Sequence, residues 1–276
     1  MFYFYLAASA ALIPISDIWF DVLRESYSWW LVPVLFVGFF LGFIIIHAAI
    51  VALSIQLVSM KSPQERFSEY YRFIIRISLP LFYKLARVKI NNSGLEKAPK
   101  EGRFLLVCNH QHEFDPILMF SSFPYAQLAF VGKKEIYSTL KFIAKVMHKL
   151  SCIPIDREND REAVKSIIKA SRLIKEDKNS VVIFPEGYCS KTGELLPMRN
   201  GAFKIAYKAD VPIVVCVLDN TRSIVKNMFR RKTEVEFHVL KTIYPEEFKD
   251  LHTNELGEHV YNTMNEALSK LRAKKQ

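Results

Sequence analysis

The sequence is poor in cysteine, and its four cysteines are not spaced as metal or redox pairs. They are Cys108, Cys152, Cys189 and Cys216, and most of them lie in apolar runs. Because no C-x-x-C arrangement is present, neither a zinc site nor a thiol–disulfide redox site is indicated. Buried free thiols in a reducing compartment are the simplest interpretation.

Charge is missing from a long stretch near the amino terminus. From Ser26 to Met60 there is no Asp, Glu, Lys or Arg, and this run exceeds the about 20 apolar residues that cross a hydrocarbon core. Residues 2–16 are also uncharged, but they are fewer and Pro14 interrupts them. We therefore expect residues 1–60 to form a membrane anchor of one or two apolar segments.

Recognition motifs for nucleic acid are also missing, although the formal net charge is +10. A charge of this sign suggests an anionic partner, such as nucleic acid, an anionic bilayer or a phosphorylated ligand. No helix-turn-helix, zinc-finger or RNA-binding signature accompanies the charge, so no nucleic-acid partner is expected.

Residues 61–94 combine spaced Arg and Lys with apolar stretches, as in FIIRISLPLFYKLARVKI, and they directly follow the uncharged run. This pattern indicates a basic amphipathic element at a membrane surface, broken at Pro80, although ordinary packing on the main domain explains it equally well. Basic residues after an apolar segment favour the cytoplasmic side. If both apolar segments insert, the link at 17–25 lies outside and the chain from Lys61 onward lies inside.

The remainder of the chain alternates β-branched runs with amphipathic segments and has no internal repeat. Apparent strands lie at 104–108, 128–132, 152–155, 180–184, 212–218 and 235–243. Helical spacing of apolar residues marks 135–149, 159–176 and the carboxyl-terminal stretch. This alternation predicts one α/β domain at 95–276, with a single mixed or mostly parallel sheet and flanking helices, preceded by the membrane-anchoring helical region.

Polar clusters directly follow several of these strands. NHQHEFDP follows FLLVC, DRE follows CIPI, and PEGYCS follows SVVIF. The carboxyl ends of parallel strands usually carry the ligand site of such a sheet. The sequence therefore predicts a site built from these three loops.

His110 and Asp115 are the candidate acid–base pair in the first loop. On one continuous helix, residues five apart point about 140° away from each other. The two side chains can meet only if His110 lies in a loop and Asp115 begins a helix, which the following Pro116 favours. Asp115 would then either cap the helix or orient His110 as a base. No serine stands out as a nucleophile, so a substrate hydroxyl is the natural candidate.

A metal site built on this loop is the alternative use of the same residues. His110, His112, Glu113 and Asp115 lie close together in sequence, but there is no HExxH motif and no evident further ligand. We therefore expect no metal.

Four ordered blocks make the chain resemble a known family, the glycerophospholipid acyltransferases, and specifically their 1-acylglycerol-3-phosphate acyltransferase branch. The resemblance runs from about Phe104 to Leu218. The blocks are N-H-x-x-x-x-D at 109–115, VGKKEIY at 131–137 followed by CIPIDRE at 152–158, FPEG at 184–187, and VPIVVCVL at 211–218.

The resemblance implies a reaction. His110 would deprotonate the glycerol hydroxyl of a lysophospholipid, most simply 1-acylglycerol-3-phosphate, and Asp115 would orient His110. The hydroxyl would attack an acyl thioester on coenzyme A or acyl carrier protein, and the product would be phosphatidic acid. No cofactor and no covalent acyl-enzyme are implied, and the expected partners are the bilayer, the lysophospholipid and the acyl donor.

The resemblance also implies binding residues. Lys133 and Arg157 would hold the phosphate of the acceptor, and Glu186 and Gly187 would shape its pocket. A plainer reading leaves Lys133 on the solvated surface and Arg157 in a surface ion-pair cluster.

One block departs from the family pattern, which continues as F-P-E-G-T-R-S. Here Tyr188 and Cys189 replace the Thr and the Arg. Lys191 or Arg199 could compensate for the lost cation, or the acceptor could carry another headgroup. Two further alternatives stay open, namely a thioesterase or hydrolase that uses Cys189 and a non-catalytic lipid-binding scaffold.

Overall fold

In a computed structural model of the chain, which describes residues 1–20, 30–61 and 68–273, three helices precede the first strand. They are α1 (Phe2–Phe20), α2 (Leu31–Gln56) and α3 (Glu69–Leu85). Within these described ranges, α2 is the one helix long and apolar enough to cross a membrane, and the apolar part of α1 is shorter. The predicted exterior link at 17–25 begins inside α1, and its residues 21–25 lie outside the described residues, as does part of the predicted surface element.

The third helix joins the apolar helix α2 to the rest of the molecule. The Nε2 atom of His47 in α2 lies 2.9 Å from the hydroxyl of Ser78 in α3. The hydroxyl of Tyr71 donates to the carbonyl of Ser54 at 2.7 Å. The expected break at Pro80 is wrong, because α3 continues through this residue. Leu79 and Leu81 on either side are buried, and this packing compensates for the backbone hydrogen bond that proline cannot make.

A mixed sheet of seven strands forms the centre of the domain, as the alternating pattern predicts. Its spatial order is β1-β7-β6-β2-β5-β3-β4, and every neighbouring pair is parallel except β6 and β7. The strands are β1 (Val88–Ser93), β2 (Leu105–Cys108), β3 (Leu128–Lys133), β4 (Ile153–Ile155), β5 (Ser180–Ile183), β6 (Ile213–Asp219) and β7 (Thr233–Ile243). The sheet thus begins at Val88, inside the segment assigned to the surface element.

Helices cover both faces of this sheet and enclose two cores. The helices that follow α3 are α4 (Asp115–Ser122), α5 (Lys134–Thr139), α6 (Lys141–Lys149), α7 (Asp160–Lys175), α8 (Lys204–Ala209), α9 (Ser223–Asn227), α10 (Pro245–Phe248) and α11 (Thr253–Ala273). One core joins the sheet to α7, α8 and α11. The other joins it to α4 and to the ends of α2 and α3.

The strand directions bring the predicted site loops together. Strands β2, β5 and β6 are parallel, so they end at one edge of the sheet, at Cys108, Ile183 and Asp219. We call this the carboxyl edge. Because β7 is antiparallel to β6 and β1 is parallel to β7, both of these strands begin at the same edge.

Candidate active site

Asn109 fixes the chain where it leaves β2. Its side chain is buried and forms two hydrogen bonds with Leu218 of the neighbouring β6. Asn109 Nδ2 donates to the Leu218 carbonyl at 2.9 Å, and the Leu218 amide donates to Asn109 Oδ1 at 2.7 Å. This clamp holds the ends of two strands together and sets where the next residue, His110, emerges.

The structure brings His110 and Asp115 together. His110 lies in the loop, Asp115 is the first residue of α4, and their Nδ1 and Oδ2 atoms are 2.8 Å apart. Because a carboxylate accepts, Nδ1 carries the proton and Nε2 is left with a free lone pair.

The carboxylate of Asp115 is fully buried and organises the whole loop. Its Oδ2 atom also accepts the backbone N–H groups of Gln111 at 2.7 Å and of His112 at 3.0 Å. These donors belong to the loop and not to the first turn of α4. The side chain therefore shapes the loop around His110, and helix capping does not account for it.

The ring of Phe184, the residue that follows β5, stacks on one face of the His110 ring. The two ring centroids are 4.1 Å apart and the planes are 15° from parallel. The Nε2 atom lies 3.1 Å from the Sγ atom of Cys189. The nitrogen that can act as a base is thus turned toward the third polar loop.

Glu186 ties this third loop to the first. Its Oε1 atom accepts the His110 amide at 2.6 Å, and its Oε2 atom accepts the Leu196 amide at 2.8 Å. The side chain is buried, and burial raises the pKa of Glu186 to about 7 against the opposing effect of the two hydrogen bonds. The carboxyl group therefore titrates near neutrality while it supports the backbone of both loops.

Gly187 makes the turn that follows possible. Its φ is +76°, in the left-handed region that side chains disfavour, and its amide donates to the Phe184 carbonyl at 3.1 Å. A Cβ atom at this position would lie 3.2 Å from Nε of Arg199. The glycine thus lets the turn and the arginine approach each other.

Two arginines lie close to the ring of Tyr188. The guanidinium carbons of Arg157 and Arg199 lie 5.4 Å and 5.6 Å from the ring centroid. Arg199 Nη1 also donates to the Arg157 carbonyl at 2.8 Å, and the Tyr188 hydroxyl donates to Glu158 at 2.7 Å. Burial lowers the pKa of Arg157, but a guanidinium stays charged at any physiological pH. The structure therefore places a second cation beside the one predicted from the motif.

The remaining predicted cation is less tightly held. Lys133 ends β3 with its side chain half-exposed, and its Nζ atom lies 3.9 Å from Glu135. The neighbouring Lys134 pairs with Asp156. In the part of the chain that the structure describes, no cluster of His, Cys, Asp and Glu could hold a metal ion.

Comparisons with known proteins agree with this fold. Residues 89–219 match the family model described as Acyltransferase. The chain is therefore similar to this family of enzymes over this range, which is a little less than half of its length.

Two curated relatives come from mycoplasmas, and both carry the name "Probable 1-acyl-sn-glycerol-3-phosphate acyltransferase". The protein of Mycoplasma pneumoniae is 33% identical over 55% of this chain and 55% of its own length. The protein of Mycoplasma genitalium is 26% identical over 74% of this chain and 78% of its own length.

A yeast protein and a crystal structure extend the comparison. The 1-acyl-sn-glycerol-3-phosphate acyltransferase of Saccharomyces cerevisiae is 28% identical over 66% of this chain and 59% of its own length. The chain thus spans little more than half the length of several relatives it matches. The crystal structure of the 1-acyl-sn-glycerophosphate acyltransferase PlsC of Thermotoga maritima aligns with a TM-score of 0.59. That alignment covers 83% of this chain and 89% of PlsC at 20% identity, and it shows a shared fold.

Proposed function

We propose that this protein is a membrane-bound acyltransferase. It moves a fatty-acyl group from an acyl thioester, on coenzyme A or acyl carrier protein, to the free hydroxyl of 1-acylglycerol-3-phosphate. The observation that carries the proposal is the orientation of His110. Its Nδ1 atom is hydrogen-bonded to buried Asp115, and its Nε2 atom faces the loop after β5.

The reaction needs one base and no covalent step on the protein. The acceptor hydroxyl takes the place of the Cys189 thiol as the hydrogen-bond partner of Nε2. As the hydroxyl oxygen attacks the thioester carbonyl, its proton passes to Nε2, and Asp115 stabilises the resulting imidazolium. The tetrahedral intermediate then expels the thiolate, which takes the proton from His110. An ester forms, a thioester breaks, and the base is regenerated.

The phosphate of the acceptor binds between Arg157 and Arg199. Arg199 supplies the cation that the third block lacks, because it lies against the same Tyr188 ring as Arg157. Paired guanidinium groups suit a phosphate monoester, since each offers a planar set of donors. Lys133 adds positive charge at the end of β3.

The test of this assignment is a panel of lysolipids offered to the full chain with a labelled acyl thioester. We expect lysophosphatidic acid to be preferred, and Arg157→Ala and Arg199→Ala each to lower its kcat/KM roughly tenfold to a hundredfold. Arg157→Lys should restore only part of the loss, because lysine lacks the fork geometry. Arg161→Ala, an exposed arginine of α7, is the matched control. A wild type that prefers a substituted headgroup would refute the phosphate assignment and leave the transfer reaction intact.

A second candidate function follows from the contact between Cys189 and His110. Asp115, His110 and Cys189 lie in a row, as in a thiol hydrolase, so the thiol could accept the acyl group before water or a lipid removes it. Against this route, burial and the nearby carboxylates of Asp115 and Glu113 raise the pKa of Cys189 to about 11. Cys189→Ala separates the two: transfer persists under our proposal, whereas a covalent route loses both turnover and any acyl group trapped on the protein.

We further propose that α2 anchors the protein in the membrane and that the α/β domain lies on the cytoplasmic face. The basic residues that follow the apolar run support this orientation. A reporter fused to the carboxyl terminus should therefore be protected from reagents added outside intact cells, and an accessible reporter would reverse the topology.

A further inference from the structure

The connection between β6 and β7 carries an unusual combination of exposed residues. Residues 226–232, which we call the basic loop, read KNMFRRK. Phe229 is 73% exposed at its tip, and the preceding Val225 is 55% exposed. The φ of Phe229 is +64°, a conformation that is rare for a bulky residue. A large ring is thus displayed in water at a strained position, where no core packing requires it.

The loop is nevertheless well supported from below. Ile224 is fully buried, and Met228 packs against the same core cluster. The amides of Arg230 and Arg231 both donate to the carbonyl of Asn227 at 2.9 Å. The exposure of Phe229 is therefore built into the fold and does not result from a frayed segment.

Positive charge surrounds this ring. Lys226, Arg230 and Arg231 are exposed, and among the described residues none of them has an acidic side chain within ion-pair distance. Only Lys232 is neutralised, by Glu234 at 2.6 Å. An aromatic tip set among unpaired cations is typical of a surface that enters the headgroup region of an anionic bilayer.

The basic loop is continuous with the residues that lead to the anchor. Arg87, between α3 and β1, donates to the Arg230 carbonyl at 3.4 Å. Lys84, one turn earlier, lies 3.5 Å from the hydroxyl of Tyr3 in α1 and 5.6 Å from the ring centroids of Phe2 and Tyr3. A path of cations therefore runs from the apolar helix α1 to the tip at Phe229.

The position of the loop relates it to the site. β6 ends and β7 begins at the carboxyl edge. The basic loop and the His110 loop therefore both lie at this edge. A membrane that contacts Phe229 would therefore face the edge from which an acceptor lipid must enter.

We propose that the basic loop is a second membrane contact, in which Phe229 enters an anionic bilayer and Lys226, Arg230 and Arg231 bind lipid phosphates. The contact turns the carboxyl edge toward the lipid surface. This inference rests on the proposed function, because it assumes that the acceptor lies in the bilayer.

The first experiment measures contact without measuring activity. The full chain is placed in nanodiscs of phosphatidylcholine alone or with phosphatidylglycerol, and amide hydrogen exchange is followed by peptide. We expect peptides covering 226–232 to exchange at least about fivefold more slowly in the anionic discs, because basic residues bind the negative surface. The protection should fall at high salt. Peptides covering α8 should not change. Equal exchange of the basic loop in both discs overturns the proposal.

The second experiment compares an acceptor in the bilayer with one in water. In the R230E/R231E variant we expect kcat/KM for a bilayer-embedded lysolipid to fall about tenfold. Activity toward a short-chain, water-soluble lysolipid should stay within about twofold. Phe229→Asn, which suits the left-handed backbone, should act in the same direction. The K204E/K208E variant makes the same charge change on exposed residues of α8 and serves as the control.

Each outcome distinguishes this inference from the function on which it rests. A wild type without transfer to any lysolipid refutes the proposed function, whereas the exchange result still decides the membrane contact. Equal losses with both acceptors would place the loop in the catalytic site and overturn the inference. A change confined to the KM for acyl carrier protein, with coenzyme A thioesters unaffected, would make the loop a protein-docking surface instead.

Discussion

One oxygen of Asp115 accepts three hydrogen bonds. The charge of this residue and the shape of its loop therefore depend on each other. The Oδ2 atom receives the His110 ring and the amides of Gln111 and His112. Asp115→Ala removes the charge and also leaves the ring N–H and both amides without this acceptor. The orientation and the electrostatics of His110 are therefore lost together.

Replacement of His110 by alanine should lower kcat by about 10² to 10⁴, the usual contribution of a positioned base. The KM for the acyl thioester should change little, because the ring supplies a proton acceptor and not a thioester contact. His112→Ala should be much milder, since the His112 ring stacks on Phe114 at 5.2 Å and accepts the Phe114 amide. Steady-state assays of both variants test this, and equal losses would indicate a different role for the pair.

Glu186 should make stability depend on pH. Burial raises its pKa to about 7 from the ordinary 4.5, so the folded state holds this proton more tightly than the unfolded state. The stabilisation is fully present below pH 4.5 and is lost as pH rises through 7, by on the order of 3 kcal/mol. Thermal melts of wild type and Glu186→Gln in detergent measure it.

The glutamine variant is expected to be less stable at every pH, because its amide cannot accept from both backbone donors. The difference between wild type and variant should nevertheless shrink from pH 5 to pH 8. A difference that stays constant or grows over this range would show that Glu186 is ionised throughout.

Individual residues of the site differed in how well the sequence predicted them. The contact of His110 with Asp115 could be predicted, because five residues and an Asp-Pro pair allow a loop followed by a helix start. The contact of Arg199 with Arg157 was not predicted, and Arg199 could only be offered as one of several compensations for the lost cation. The two residues lie in loops after different strands, and no local pattern sets the distance between such loops.

Among the elements of the fold, the ends of β2 and β6 are joined by a single side chain. Asn109→Ala removes both hydrogen bonds to Leu218 and leaves a buried amide and carbonyl without these partners. We expect a loss of about 2–4 kcal/mol in the free energy of unfolding.

The matched control for this prediction is Asn159→Ala, which removes an exposed helix cap on α7 that accepts the Glu162 amide. It should cost about 1 kcal/mol. Thermal melts in detergent compare the stability of both variants. If Asn109→Ala lost no more stability than Asn159→Ala, the two hydrogen bonds to Leu218 would contribute no more than an exposed helix cap.

Most strands of the sheet could be predicted because each is a short apolar run bounded by polar residues. β1 was missed because its sequence, VKINNS, is polar. It is an outermost strand of the sheet, where few side chains need to be buried. The continuation of α3 through Pro80 was missed for a related reason. The cost of proline was visible in the sequence, whereas the burial of Leu79 and Leu81 was not.

For the molecule as a whole, the anchor and the domain share one core. Ile55 and Val58, at the end of the apolar run, belong to the same buried cluster as residues of α4 and the sheet. The sequence left open whether the excess length of the apolar run protrudes, tilts or packs against the domain, since a side chain that faces lipid and one that faces protein are equally apolar. In sequence order the apolar segment precedes the α/β domain, whereas in the fold the end of this segment packs into the core of the domain.

The chain passes from α3 into β1 at the carboxyl edge, and this position affects how the rate should respond to lipid. If the acceptor reaches His110 from the bilayer, its effective concentration is a mole fraction within the surface and not an amount per volume. Addition of inert lipid at a fixed bulk acceptor concentration should then lower the initial rate. Dilution of the same vesicles with buffer, at saturating thioester, should leave the rate per protein molecule unchanged. A rate that follows the bulk concentration instead would indicate that the acceptor crosses water to reach the site.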